Sequence, residues 1–199
     1  DALPIFAAWL ATEAISLVLD ASHPFASRIT AQAREAANAA GIGYLRLERP
    51  AWRPGPGDDW RLVPDLDAGL AALTPGARRV FAAAGARALD RLGLAPMDFV
   101  VRGVDPPVSV PANVTFVRGR GPFVPEAERQ LLQAQDIDAL LCRNSGGQAA
   151  RAKLEAAREL RLPVVMIERP DASLPDAVPD VPSALAALGQ RFFGLSTWV

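Results

Sequence analysis

The feature that most constrains this chain is an alternation. Short continuous runs of β-branched and apolar residues follow one another, with alanine-rich stretches of helical spacing between them. The runs are Ile15 to Asp20, Tyr44 to Glu48, Arg79 to Ala83, Phe99 to Val104, Val114 to Val117, Ala139 to Arg143 and Val164 to Glu168. Unbroken apolar runs, as opposed to alternating ones, are the mark of parallel strands covered on both faces. From about Pro24 to Ala40, Ile29, Ala33, Ala36, Ala37 and Ala40 share one helical stripe, and Gly41 stands where a C′ glycine belongs. From Gln148 to Arg161, Ala150, Leu154, Ala157 and Leu160 do the same. Strand alternating with helix predicts an α/β fold with a mainly parallel sheet.

A repeat is visible within this pattern. Leu17 to Pro50 and Ala139 to Pro170 each read as a strand, a loop of small and polar residues, a helix, and a strand ending in Glu-Arg-Pro. That order suggests two similar α/β lobes. Pro54 to Gly57 and the turn Thr74-Pro75-Gly76 are the boundary candidates, and the second divides the chain into 1–74 and 75–199. Pro170 to Pro182 reads as irregular, with a short helix at about Ser183 to Phe192.

Composition narrows the function. With 50% apolar and 22% charged residues, the chain has material for a core and is not intrinsically disordered. A formal net charge of −1 gives no basic footprint for nucleic acid. No run approaches the roughly 20 apolar residues of a membrane span. Cys142 is the single cysteine and His23 the single histidine, so a His/Cys structural zinc site cannot be built. The lone cysteine also makes a reducing cytoplasm the simplest compartment. Of the 21 basic residues only Lys153 is a lysine. A GC-rich genome accounts for an arginine excess, but the planar guanidinium fork also suits carboxylate and phosphate ligands. The chain begins with Asp1, not Met, and reads as a fragment whose beginning is missing.

In open parallel sheets ligands bind beyond the carboxyl ends of the strands. The loop Asp20 to Ala26 is either a capping His-Pro turn, with Pro24 at the first helical position, or a ligand-facing polar loop. Arg143 to Gly147 is either a tight strand-to-helix turn or a nest of backbone amides for an anion. Ala82 to Gly85 offers only smallness, for a ligand or for close packing. Arg102, Arg118 and Arg120 follow strands beside Gly or Pro, and their clustering favours an anionic ligand over solvated surface charge. Cys142 lies in an apolar strand and reads as core, and the four tryptophans are dispersed.

Five ordered segments carry a resemblance: Asp20 to Ala26 (DASHPFA), Tyr44 to Trp52 (YLRLERPAW), Val100 to Pro107 (VVRGVDPP), Arg120 to Phe123 (RGPF) and Arg143 to Gly147 (RNSGG). In this order and spacing they resemble the precorrin-6A reductase family of corrin-ring biosynthesis, over nearly the whole chain up to Pro170. The resemblance implies two Rossmann-like lobes, doubly wound on mainly parallel sheets, with the ligand cleft between them. It implies hydride transfer from NADPH to a ring double bond of precorrin-6A, giving precorrin-6B, in the cytoplasm. Implied cofactor contacts are Ser22, Pro24, Phe25, Gly85, Asn144, Ser145, Gly146 and Gly147. Arg102, Asp105, Arg118, Arg120 and Arg143 are the implied contacts to the substrate, an anionic tetrapyrrole rich in carboxylates. His23 is the candidate proton donor on chemistry alone, with solvent as its competitor.

Departures from the family pattern are Ser22 for Thr, Arg143 for Lys, and Ala83 and Ala84 for hydroxyl residues. The family's opening strand and Gly-Gly-Thr loop have no counterpart, so the first βα unit is expected to be missing, and Asp1 to Ile5 do not resemble the family. Two other readings stay open: a cobalt-precorrin-6A reductase using NADH, and a non-catalytic anion- or tetrapyrrole-binding α/β module.

Overall fold

Every strand pair is parallel, as unbroken apolar runs require. The structure is a computed structural model that describes residues 3–73, 76–170 and 177–193. Its elements run α1 (Leu3–Thr12), β1 (Leu17–Asp20), α2 (Ser27–Ala39), β2 (Gly43–Leu47), β3 (Trp60–Val63), α3 (Leu66–Leu73), β4 (Arg79–Ala83) and α4 (Leu89–Leu92). They continue with β5 (Asp98–Gly103), β6 (Val114–Arg118), α5 (Pro125–Ala134), β7 (Ala139–Arg143), α6 (Ala152–Leu160), β8 (Val164–Ile167), β9 (Ala177–Val178) and α7 (Val181–Phe193).

The chain divides into two compact units, 1–50 with 170–199, and 51–169. This differs from the expected division at residue 74. β3 pairs along its whole length with β8, so the segment after Pro50 belongs to the sheet of the second unit. β9 pairs with β2, so the chain after Arg169 returns to the first. Both crossings fall at Glu-Arg-Pro, after β2 and after β8. The repeated tripeptide therefore marks the two exits from a βαβ unit.

The first unit holds a three-stranded sheet in the order β1-β2-β9. Helix α2 covers it with Thr30, Ala33, Ala36 and Ala37, and Ile29 is exposed, contrary to the stripe expected. The cause lies at the helix start. A turn closed by the Ala26 amide on the His23 carbonyl puts Pro24 ahead of the helix, which begins only at Ser27. The Thr30 hydroxyl then faces inward to Ser22, 3.1 Å away. Gly41 ends the helix at φ +67°, the left-handed position that glycine takes without a Cβ clash. Within the stretch expected to be irregular, residues 171–176 lie outside those described and Ala177–Val178 form β9.

The second unit holds a six-stranded sheet in the order β3-β8-β7-β4-β5-β6. Phe81, Val100, Leu140, Leu154 and Met166 are buried in its core, with Cys142 beside them. Burial pushes the Cys142 thiol up to about 11, which keeps it neutral and inert. From β4 the chain steps outward to β5 and β6, and α5 then carries it back to β7 on the other flank of β4. The boundary between β4 and β7 is thus where the strand order reverses, the place where doubly wound sheets leave a crevice for ligands.

Candidate active site

At that reversal point the ends of β4 and β7 come together. Gly85 has φ +85°, and a Cβ there would stand 2.9 Å from Arg143 Nη1. The bare backbone lets the guanidinium lie against the strand end. Burial, and then the charge of Arg87, holds the Arg143 guanidinium below the usual arginine range. A bare glycine backbone beside one guanidinium, within the field of a second, suits an anionic group such as a phosphate.

The turn after β7 is held from Trp52. The Trp52 amide donates to Asn144 Oδ1 at 2.8 Å, and Asn144 Nδ2 donates to the Trp52 carbonyl at 3.0 Å. Trp52 Nε1 donates to the Gly147 carbonyl at 2.8 Å. Gly146 and Gly147 take φ +67° and +75°, and α6 begins only at Ala152, four residues later than the expected Gln148. The side-chain amide of Asn144 is therefore engaged in holding the loop. Ser145 Oγ turns back to the Arg143 carbonyl at 3.4 Å. Asn144→Ala strands two buried peptide groups of Trp52, and about 1–3 kcal/mol of unfolding free energy is expected to be lost. A urea unfolding midpoint, at unchanged slope, measures it.

A cavity of about 620 Å³ lies within the second unit, beyond the carboxyl ends of β4 and β5 and against the start of α6. Its volume is in the range of about 300–1,000 Å³ typical of small-molecule sites. Phe81, Ala83, Arg102, Phe123, Glu128 and Lys153 face it. Arg102 Nη1 stands 2.7 Å from Glu128 Oε1, an ion pair that lies outside aligned hydrogen-bond geometry. The guanidinium carbon of Arg102 sits 3.4 Å from the Phe123 ring centroid and 5.4 Å from that of Phe81. Gly119 makes room for it, since a Cβ there would come within 2.9 Å of Arg102 Cδ.

Of the arginines expected to meet substrate carboxylates, then, Arg102 reaches the cavity already paired to a buried carboxylate. Asp105, Arg118 and Arg120 are exposed and do not line it. Arg118 donates to the Val104 carbonyl at 3.0 Å and approaches Asp105 at 3.6 Å, tying the ends of β5 and β6 together at the surface. Lys153 and Glu128 were not among the expected site residues. The signal for Lys153 was present: it falls three residues after Ala150 and one before Leu154, on the apolar stripe of its helix.

In the first unit the loop after β1 is anchored by Asp20. Its carboxylate accepts from the Ser22 amide at 2.9 Å and the Tyr44 hydroxyl at 2.7 Å, and pairs with Arg46 Nη1 at 2.8 Å. Arg46 Nη1 also donates to Ser22 Oγ at 3.0 Å, so the Ser22 hydroxyl is tied into the interior. His23 is exposed, its Nδ1 accepts the Phe25 amide at 3.2 Å, and the two rings stand 5.8 Å apart. His23, Pro24 and Phe25 thus form one turn at the end of β1.

Known proteins resemble this chain closely. The family described as "Precorrin-6x reductase CbiJ/CobK" matches residues 4–189. The chain is 40% identical over 180 residues to the precorrin-6A reductase of Rhodococcus erythropolis, covering 88% of this chain and 72% of that one. It is likewise 40% identical over 182 residues to the precorrin-6A reductase of a Sinorhizobium species, covering 89% and 68%. To the cobalt-precorrin-6A reductase of Methanothermobacter thermautotrophicus it is 30% identical over 172 residues, covering 79% and 56%. A solved structure titled "CobK precorrin-6A reductase" superposes with a TM-score of 0.91 at 36% identity, over 96% of this chain and 77% of that one.

Proposed function

The chain belongs to the precorrin-6x reductase family, and we propose on that ground that it reduces a ring double bond of precorrin-6A to give precorrin-6B in cobalamin biosynthesis, with NADPH as hydride source. One observation carries this beyond the likeness itself. Each of the five family segments contains or directly follows the carboxyl end of a parallel strand, namely β1, β2, β5, β6 and β7, where doubly wound sheets bind ligands. The metal-free substrate is preferred because the 40% relatives are precorrin-6A reductases, whereas the cobalt-precorrin reductase stands at 30%.

An oxidoreductase of this family takes a nicotinamide cofactor, and the residues at the β4–β7 reversal fit an anionic dinucleotide. Gly85 leaves bare backbone beside Arg143, with Arg87 adding positive charge. Arg143, Gly85 and the backbone of Ser145 to Gly147 would hold its phosphates. When bound, the cofactor supplies the hydride. The protein's share is to bind, orient and exclude water. His23, exposed on the turn after β1, is the candidate for bringing a proton from solvent. Among the described residues no helix is long and apolar enough to cross a membrane. We assign the enzyme to the cytoplasm, the reducing compartment in which Cys142 stays a thiol.

The deciding assay follows NADPH absorbance with precorrin-6A in the absence of oxygen. One NADPH consumed per precorrin-6A, and slower turnover of the cobalt-containing analogue, is the expected result. No consumption by full-length protein that still gives a cooperative unfolding transition overturns the proposal.

A further inference from the structure

Lys153 is 8% exposed, lies on the buried stripe of α6 and faces the cavity. Its ammonium carries three N–H donors. Among the described residues one carbonyl, that of Ala150, accepts from it, and its charge lies 5.0 Å from the Trp52 ring centroid. Among the described residues the cavity's other charged lining groups are Arg102 and Glu128, and these are paired with each other. Charges lining the cavity therefore sum to +1, and they include a buried ammonium with one carbonyl partner among the described residues. A buried cation in this position calls for an anion.

We propose that Lys153 is a carboxylate anchor: the cavity takes one short carboxylate-bearing arm of the substrate, and that carboxylate accepts hydrogen bonds from Lys153 Nζ. The inference rests on the reductase reading for the identity of the ligand, a macrocycle rich in carboxylate arms. The walls suit the rest of such an arm, since Phe81, Ala83 and Ala150 offer apolar contact to its methylenes. Burial pushes the Lys153 ammonium below the usual lysine range, with Arg102 adding to this and Cys142 and Glu128 opposing it. An incoming carboxylate favours the charged form and raises the value again, so binding is coupled to proton uptake. Affinity for the arm falls as pH rises through the lysine's lowered pKa.

The chain offers an unusually clean reporter, because Lys153 is its only lysine. Lysine labelled with ¹³C at Cε gives a single resonance that follows Nζ protonation, with no turnover required. Titration with propionate is expected to shift this resonance saturably and to raise its apparent pKa, and propionamide, the neutral isostere, is expected to do neither. Equal shifts from both probes, or none from propionate, overturn the anchor. These outcomes are independent of whether precorrin-6A is turned over. If it is, Lys153→Met is expected to raise KM for precorrin-6A roughly 10- to 100-fold, the loss of one charge-assisted hydrogen bond, with kcat nearly unchanged. Lys153→Arg is expected to recover part of that loss. A fall in kcat at constant KM would assign the ammonium to proton delivery and refute anchoring.

Discussion

Replacing Arg102 by methionine is expected to lower the unfolding free energy by about 3–5 kcal/mol, the cost of leaving a buried charge without its partner. The orphan would be Glu128, whose side chain is 1% exposed and whose oxygens have no aligned hydrogen bond to fall back on. Two details set the size. Lys153 lies close enough to interact with the same carboxylate, which moves the loss toward the lower end. Loss of the contact between Arg102 and the Phe123 face adds about 0.5–2 kcal/mol. The sharper forecast concerns the double variant. Arg102→Met combined with Glu128→Met removes both charges from the interior, and apolar replacement of a buried pair is often neutral. Chemical unfolding of the wild type, both single variants and the double variant closes the cycle. Single losses that simply add in the double variant would show that the pair is not coupled. A raised KM in an Arg102 variant of unchanged stability would instead place this guanidinium on the substrate.

The strands of the second unit were legible because burial on both faces leaves an unbroken apolar run. Arg79 to Ala83 and Ala139 to Arg143 are found as read, and the run read as Val164 to Glu168 ends one residue earlier, at Ile167. β3 was not legible, and its place explains why. At the edge of the sheet Arg61 and Leu62 stand exposed, so Trp60 to Val63 carries no continuous pattern. β9 is two residues long and takes its pairing from β2, which no local signal records. The site divides along the same line. Loops at strand ends announce themselves by glycine, proline and arginine, and the position of Arg102 and Arg143 at the ends of β5 and β7 was legible in this way. Whether a charge faces a ligand or a partner depends on a residue far away in sequence. Glu128, on the helix after β6, turns Arg102 from a free fork into half of an ion pair. Asn144 likewise reads as a ligand contact until Trp52, 92 positions away, claims its amide.

The other large effect is expected at Asp20. Asp20→Asn keeps the shape of the side chain and removes its charge, leaving Arg46 buried at 3% side-chain exposure with Glu48, 3.6 Å from its Nε, as the remaining counter-charge among the described residues. A loss of about 3–5 kcal/mol follows for an uncompensated interior charge, reduced by whatever Glu48 supplies. The pH dependence separates this cause from a mere packing defect. Burial alone would raise the Asp20 pKa, but the hydrogen bonds from Ser22 and Tyr44 and the charge of Arg46 outweigh it and hold the carboxyl below the usual range. A group lowered in the folded state contributes stability that is present above its unfolded pKa and lost as pH falls through the folded one. The gap between wild type and Asp20→Asn should therefore be level at neutral pH and close in acid. The alkaline side provides an independent check. Tyr44 is held above the ordinary phenol range, first by burial and then by donating to Asp20. It is the only tyrosine in the chain, so phenolate absorbance reports it alone. Removing the Asp20 charge should let Tyr44 ionise at lower pH, and an unmoved phenol titration would mean that the 2.7 Å contact does not hold the charge that the stability loss requires.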